Sequence, residues 1–313
     1  MSKQIHIPDS FETSDGRKIT FNEIHQRFAD SKHGQHLATQ IRYKRYKPDC
    51  ISNTEWCQAP LGADVNNLQH MPLTKALTRE FLKHQLPEQA LSNSDSQVLL
   101  LASITHDWAE AITGDIMFDK KSALEDSDEA SIMLFMLKKA FGTKLSAETL
   151  MQVHQTIKDR NSKLGEIFNA IERVGYMRSG LNAWAASGKP SGELIKGLDS
   201  AAETELRVAF QWMASNVAGN QTIALLKYAD KYHPVAKYMS NIRNQIDQLF
   251  HKMPENVFTK YPTDGESGNE QDQQVQKFKS AQEVWEISKV KNELKRSIPQ
   301  NDILATSLEK TSL

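Results

Sequence analysis

The residues best suited to chemistry lie in one stretch of this chain, Ser103-Ile-Thr-His-Asp-Trp-Ala-Glu-Ala-Ile-Thr-Gly-Asp115. His106 and Asp107 are adjacent metal-ligand types, and Glu110 follows one helical turn later. An apolar run leads into the stretch and predicts a helix that ends at Gly114, so His106 and Glu110 would share one face. Imidazole and carboxylate together suit a mid-row divalent ion that keeps open positions for water. The stretch therefore predicts a metal site.

The length of the pattern decides how strongly it supports a metal site. A His-Asp dipeptide alone is a weak indication, because any long chain contains a few by chance. The full pattern His-Asp-x-x-Glu-x-x-x-Gly-Asp has a chance occurrence on the order of one in ten thousand in a chain of this length. The alternative, a structural helix end that holds no ion, stays open.

The pattern resembles the signature of the HD-domain metal-dependent phosphohydrolases, and most of all that of their 5′-deoxynucleotidase branch. That family is all-helical, and its metal site has an early His, the His-Asp doublet and a late Asp. The segment from Leu68 to Phe81 resembles the helix of the early His, and the segment from Leu225 to Tyr232 resembles the helix of the late Asp. The resemblance covers roughly residues 56 to 250. It implies four ligands to one ion: His70, His106, Asp107 and Asp230.

The resemblance also implies how the substrate is held. Trp56 lies fourteen residues before the early His, which is the offset of the family's substrate-facing Trp. Glu55 stands where the family has an Arg, so Arg42 or Arg45 would have to bind the phosphate. Asp115 lies at the family's offset for a carboxylate that binds the sugar hydroxyl. From the residues alone, Trp56 could equally cover an edge of the core.

Two charged residues fall on predicted buried faces. Asp230 lies toward the buried side of a helical pattern, where a carboxylate needs a partner, either the ion or a lysine such as Lys227 or Lys231. Arg178 falls on an apolar stripe of another helix, where an unpaired charge is costly. We predict that Arg178 contacts the substrate phosphate or forms a structural ion pair, for instance with Glu172.

Composition limits the classes of partner. Lys and Arg total 38 against 39 Asp and Glu, so no overall field predicts a nucleic-acid or membrane partner. One local exception, Arg42-Tyr-Lys-Arg-Tyr-Lys47, suits a phosphate or a nucleic acid, or is simply a basic helix C-terminus. Two cysteines are too few for a disulfide scaffold. With no apolar run of roughly 18 residues, the expected location is the cytoplasm.

The expected fold class is all-α, an HD-domain helical bundle with extra helices. Residues 1–55 form an N-terminal extension, in which Ser14-Asp-Gly-Arg17 predicts a turn or hairpin before short helices. Residues 56–250 form the catalytic domain, and 251–275 form a polar linker. Residues 276–313 carry an amphipathic helix that would dock on the core or on another subunit of a homo-oligomer, followed by a tail.

The predicted function is metal-dependent phosphohydrolysis of a nucleotide, with 5′-dephosphorylation of (deoxy)nucleoside monophosphates preferred. One divalent ion (Mn, Co, Mg, Fe or Zn) would activate a water and polarise the phosphoryl oxygen, while Glu110 would orient or deprotonate that water. Two alternatives stay open. One is another HD chemistry, either dNTP triphosphohydrolase or cyclic-nucleotide phosphodiesterase. The other is a non-catalytic nucleotide-sensing or interaction module.

Overall fold

The computed structural model describes residues 5–57, 66–113, 123–140, 144–188, 197–255, 257–260 and 268–297. Within these residues, helices make up the regular secondary structure apart from one two-stranded sheet, which confirms the all-α class. The α-helices in chain order are α1 Ile24–Ala29, α2 Lys32–Thr39, α3 Asn53–Cys57, α4 Asn67–Lys83, α5 Asn93–Ser103, α6 Glu110–Thr113, α7 Ala123–Ala140, α8 Lys144–Lys158, α9 Lys163–Gly188, α10 Ser200–Lys231, α11 His233–Asn241, α12 Arg243–Lys252, α13 Val257–Lys260 and α14 Gly268–Ser297.

The N-terminal segment contains the predicted hairpin. Strands β1 (Ser10–Glu12) and β2 (Lys18–Thr20) pair antiparallel, with Phe11 opposite Ile19. Gly16 supplies the positive φ of the turn, at +78°, a conformation that costs glycine little. The Phe11 side chain is fully buried, so the hairpin is attached to the helical core.

The two longest helices of the middle block, α9 and α10, pack closely against each other. A side chain at Gly180 on α9 would come within 2.7 Å of Val217 on α10, so glycine is required for this approach. Ridges of one helix can then fill the grooves of the other. α9 also packs against α4 and α5, and this packing brings together the segments that carry the candidate site.

The C-terminal helix α14 docks on the core of the same chain. Phe278, Ala281 and Trp285 are buried along one stripe, and the Trp285 Nε1 donates a hydrogen bond of 2.7 Å to Asp247 on α12. The helix begins at Gly268, inside the segment predicted to be linker. Within the described part of the chain, every helix is too short or too polar to span a bilayer.

Candidate metal centre

Three separate elements bring the candidate ligands together. α4 carries His70, the turn after α5 carries His106 and Asp107, and α9 carries Glu172. His70, His106 and Glu172 each offer one ligand atom, and these atoms all lie within 4.8 Å of one another. The Asp107 Oδ2 lies beside both histidines. Of the four ligands that the family resemblance implies, three therefore meet in space, and Glu172 is the fourth ligand-type side chain of the cluster.

The doublet does not lie on a continuous helix, which corrects the sequence prediction. α5 ends at Ser103, residues 104–109 form turns, and Glu110 starts the short helix α6. Most backbone hydrogen bonds of the turns run to the carbonyl three residues earlier, as from the Trp108 N–H to the Thr105 carbonyl at 3.2 Å. Residues 101–110 are buried throughout. Tertiary packing has thus overridden the helical pattern, so His106 and Glu110 are not one regular turn apart.

Distances in the cluster match those between ligands of one ion. The His106 Nε2 lies 3.2 Å from the Asp107 Oδ2 and 3.2 Å from the Glu172 Oε1. The His70 Nε2 lies 3.9 and 4.0 Å from the same two oxygens. Ligand atoms held at about 2.1 Å from one ion are at most about 4.2 Å apart, and all four distances satisfy that limit.

The His106 ring indicates a missing partner. Both of its nitrogens are buried, and neither has a partner in hydrogen-bond geometry among the described residues. The two carboxylate oxygens at 3.2 Å therefore lie off the axis along which the ring N–H would donate. A buried polar atom without a hydrogen bond costs free energy. A metal ion between Nε2 and these oxygens would satisfy the nitrogen and both acids together.

Charge balance around the cluster also favours a cation. The buried guanidinium of Arg42 lies 3.6 Å from the Asp107 Oδ2. Counted as ionised, the carboxylates of Asp107, Glu110 and Glu172 outnumber this guanidinium by two within the described part of the cluster. Buried charges must be compensated. One divalent ion would neutralise the difference.

Asn67 links the guanidinium to the third carboxylate. Its side chain is fully buried at the first turn of α4. The Asn67 Nδ2 donates a hydrogen bond to the Glu110 Oε2, and the Asn67 Oδ1 accepts a long one, 3.5 Å, from Arg42. Sequence reasoning missed Asn67, because a buried amide at a helix start has no periodic signature.

Without an ion, His106 itself serves as the counter-charge. Burial alone would lower its pKa, but the nearby Asp107 and Glu172 outweigh that effect and raise the pKa to about 10. Burial alone would raise the pKa of each carboxyl, but the neighbouring histidines, with Arg42 beside Asp107, lower both below their ordinary values. The metal-free cluster is therefore an imidazolium between two carboxylates.

In metal-free protein, we expect the free energy of unfolding to fall as pH rises from 6.5 to about 10. The pKa of His106 is raised from its ordinary 6.5 to about 10, so the folded state binds more protons in that interval. The stabilisation is complete below pH 6.5 and is lost as the imidazolium deprotonates. Urea titrations of wild type and His106→Gln in a chelating buffer measure the free energy of unfolding at each pH. If this free energy fell equally with pH in the two proteins, His106 would not be the group responsible.

Asp230 lies apart from the cluster. Its side chain is exposed near the end of α10, so the prediction that it points toward the buried side is wrong. Leu225 is buried and marks the inward face there. Asp230 is about 140° round the helix from Leu225 at 100° per residue. The helix phase places its carboxylate toward solvent.

From the sequence, Glu172 is predicted only as an ion-pair partner for Arg178. A signal was present, because Phe168, Ile171 and Gly175 are buried at helical spacing on the same face as Glu172. A carboxylate on such a stripe requires a buried partner. Arg178 is exposed, so its predicted core-facing position is wrong.

The structure describes two of the other three predicted substrate contacts, Arg45 and Trp56. The guanidinium of Arg45 lies over the Tyr46 ring, 4.8 Å from its centroid. Asp115 lies outside the described residues. Trp56 is fully buried, stacks on Phe210 with centroids 5.7 Å apart, and donates from Nε1 to the Arg42 carbonyl at 3.0 Å. Of the two expectations for Trp56, the structure shows the core position.

Trp56→Ala is expected to reduce the free energy of unfolding by about 3–5 kcal/mol, the usual cost of truncating a buried aromatic side chain. Trp56→Phe should cost less than Trp56→Ala, because it keeps an aromatic ring in the core while it loses the five-membered ring and the hydrogen bond to the Arg42 carbonyl. Denaturant titration of the three proteins checks this. Unchanged stability combined with lost activity in Trp56→Ala would contradict the core position and restore a substrate-facing one.

A second group of three ligand-type side chains lies where α14 meets α12. Asp247, His251 and Glu286 offer atoms within 4.8 Å of one another. The ammonium of Lys289 already lies 3.1 Å from Asp247 and 2.9 Å from Glu286. It supplies the positive charge that a metal would bring, so this group is a docking network for the C-terminal helix.

Comparisons with models of protein families, with curated proteins and with solved structures found no match. The resemblance to the HD phosphohydrolases therefore depends on the residues quoted above and stays a hypothesis. What the chain does must be inferred from the geometry of this cluster.

Proposed function

We propose that this protein is a metal-dependent phosphohydrolase of the HD type that acts on a nucleotide, removing the 5′-phosphate of (deoxy)nucleoside monophosphates. One observation carries the proposal. Two histidines and two carboxylates from three elements converge with spacings that suit one divalent ion, and a buried guanidinium adjoins them. Such a constellation in a helical bundle is typical of a catalytic metal site.

His70, His106, Asp107 and Glu172 would hold the ion. Imidazole and carboxylate donors suit a mid-row divalent metal. When bound, the ion supplies a Lewis acid for the phosphoryl oxygen and lowers the pKa of a water. The fit is supported by the His106 Nε2, which has no hydrogen-bond partner among the described residues, and by the carboxylates that surround it.

Arg42 is the residue that we assign to the substrate phosphate. Its guanidinium lies against the rings of Tyr43 and Tyr176, at 5.6 and 5.7 Å from their centroids, and these contacts fix its orientation. Burial raises the pKa of the Tyr176 hydroxyl well above its ordinary value, so this group stays protonated. A buried, oriented guanidinium suits bidentate phosphate binding.

Glu110 is the proposed proton acceptor for the attacking water. Its Oε2 accepts the Asn67 hydrogen bond, which holds the carboxylate in one orientation. Asn67 is then a positioning residue that also reaches Arg42. General bases positioned in this way commonly contribute about 10²- to 10⁴-fold to the rate.

A non-catalytic nucleotide-binding module is the second candidate. One observation favours it, because His106 as an imidazolium already lies 3.2 Å from both carboxylates and can act as the cation itself. In that case the cluster would be a structural ion-pair network, and purified protein would contain no metal.

The deciding experiment combines metal analysis of purified protein with a phosphate-release screen. Substrates are nucleoside mono-, di- and triphosphates and cyclic nucleotides, with 2′-deoxy, ribo and 2′,3′-dideoxy monophosphates compared directly. We expect about one ion per chain and release from monophosphates. If Asp115 binds the sugar hydroxyl, dideoxy compounds should react at least about tenfold more slowly, because a carboxylate loses its partner. Release only from triphosphates or cyclic nucleotides would replace the proposed substrate, and absence of both metal and release would favour the second candidate.

A further inference from the structure

A groove between α9 and α10 is rich in hydrogen-bond donors. It has a volume of about 440 Å³, which lies within the range of small-molecule sites. α9 contributes Glu166 and Arg173, and α10 contributes Asn220, Lys227 and Tyr228. Guanidinium, ammonium, amide and phenol groups therefore line one concave surface with a single carboxylate.

The carboxylate in this groove is already paired. Glu166 accepts hydrogen bonds from the Lys231 ammonium and from the Tyr232 hydroxyl, the latter at 3.0 Å. Its negative charge is compensated by Lys231, so it does not neutralise the other cations of the groove.

The remaining two cations of the groove, Arg173 and Lys227, have no acidic partner among the described residues. Arg173 donates from Nη1 to the Gln221 side chain at 2.9 Å, and its buried Nε–H has no hydrogen-bond partner among the described residues. Neither Arg173 nor Lys227 forms an ion pair with a carboxylate in the part of the chain that the structure describes. Two uncompensated positive charges in one groove favour an anion, and Arg geometry suits phosphate.

The groove also offers apolar surface beside the charges. Ile223 and Ala224 on α10 are half-buried and line it. The Tyr228 hydroxyl accepts a hydrogen bond of 2.8 Å from Asn169, which fixes the ring next to them. A flat or aliphatic group could therefore lie on this surface while its anionic end reaches the cations.

We propose that this groove binds a phosphorylated small molecule, with the phosphate held by Arg173 and Lys227 and an apolar or aromatic body against Ile223 and Ala224. The site is distinct from the candidate metal centre. Glu172 precedes Arg173 on the same helix, and successive residues point about 100° apart, so one side chain faces the cluster and the next faces the groove.

Calorimetric titration with phenylphosphonate tests the proposal, because its P–C bond resists hydrolysis and it carries both an anion and a ring. We expect saturable binding to the wild-type protein. Arg173→Gln and Lys227→Gln should each weaken it at least about tenfold, the usual effect of removing a hydrogen bond to a charged group. Arg79→Gln and Lys252→Gln remove exposed cations elsewhere and should leave it unchanged. His106→Gln should also bind normally, which separates the groove from the metal centre.

Absence of saturable binding to the wild-type protein would overturn the proposal, as would wild-type affinity in Arg173→Gln and Lys227→Gln. It would also be overturned if Arg79→Gln and Lys252→Gln weakened binding as much as the groove variants do, or if His106→Gln lost binding. Inorganic phosphate is the second probe. It should bind more weakly than phenylphosphonate, because it lacks the ring. Equal affinity for the two probes would overturn the assignment of an apolar body. Circular dichroism of each variant confirms that the helices are intact.

Discussion

Replacing Glu172 with Gln is expected to remove both the bound metal and the hydrolytic activity, whereas Asp230→Asn should leave both intact. The Glu172 Oε1 lies 3.2 Å from the His106 Nε2 within the cluster, while Asp230 is exposed on α10. Loss of partners outside the ligand shell already weakens metal binding by about 10- to 100-fold, so loss of a ligand should cost more. Glu172→Gln keeps the size of the side chain and removes only its charge.

Metal content by elemental analysis and phosphate release are measured on the same preparations. His106→Gln and Asp107→Asn should behave like Glu172→Gln, because ligands of one ion act as a set. Thermal unfolding with and without added Mn²⁺ gives a readout that needs no activity, since ligand binding to the folded state raises its stability. Full metal content in Glu172→Gln, together with loss in Asp230→Asn, would show that the late ligand is the one implied by the family resemblance.

Glu110→Gln is expected to keep the metal and the fold but to lower the rate of phosphate release by about 10²- to 10⁴-fold, the range for a positioned acid–base group. The amide can still meet the Asn67 side chain, but it cannot accept a proton. Steady-state kinetics should show the loss in kcat, with KM little changed, because the proton transfer occurs in the transition state.

Asn67→Ala separates positioning from proton transfer. It should lower kcat less than Glu110→Gln does, because the carboxylate remains and only its hydrogen bond is lost. Asn67→Asp would place a carboxylate beside Glu110 and should be worse than Asn67→Ala, since like charges repel. Near-normal turnover in Glu110→Gln would assign Glu110 a structural role instead.

The sequence by itself determined the all-α class, the N-terminal hairpin and three of the four residues that meet at the site. Local patterns were sufficient for most of these features. The helices follow from apolar spacing, the hairpin follows from a glycine turn, and His106 and Asp107 follow from a motif with few chance matches. His70 was expected only because of its place in the family resemblance.

Only the tertiary structure decided which acid completes the cluster. Glu172 and Asp230 both lie next to apolar residues on predicted helices, and the choice between them depends on how α9 and α10 are rotated against α4 and α5. The same packing interrupts the predicted helix at residues 104–109. It also buries Trp56, which donates to the Arg42 carbonyl and stacks on Phe210. A helix phase error of one residue turns a side chain by about 100°, so contacts between distant segments settle what a local pattern leaves open.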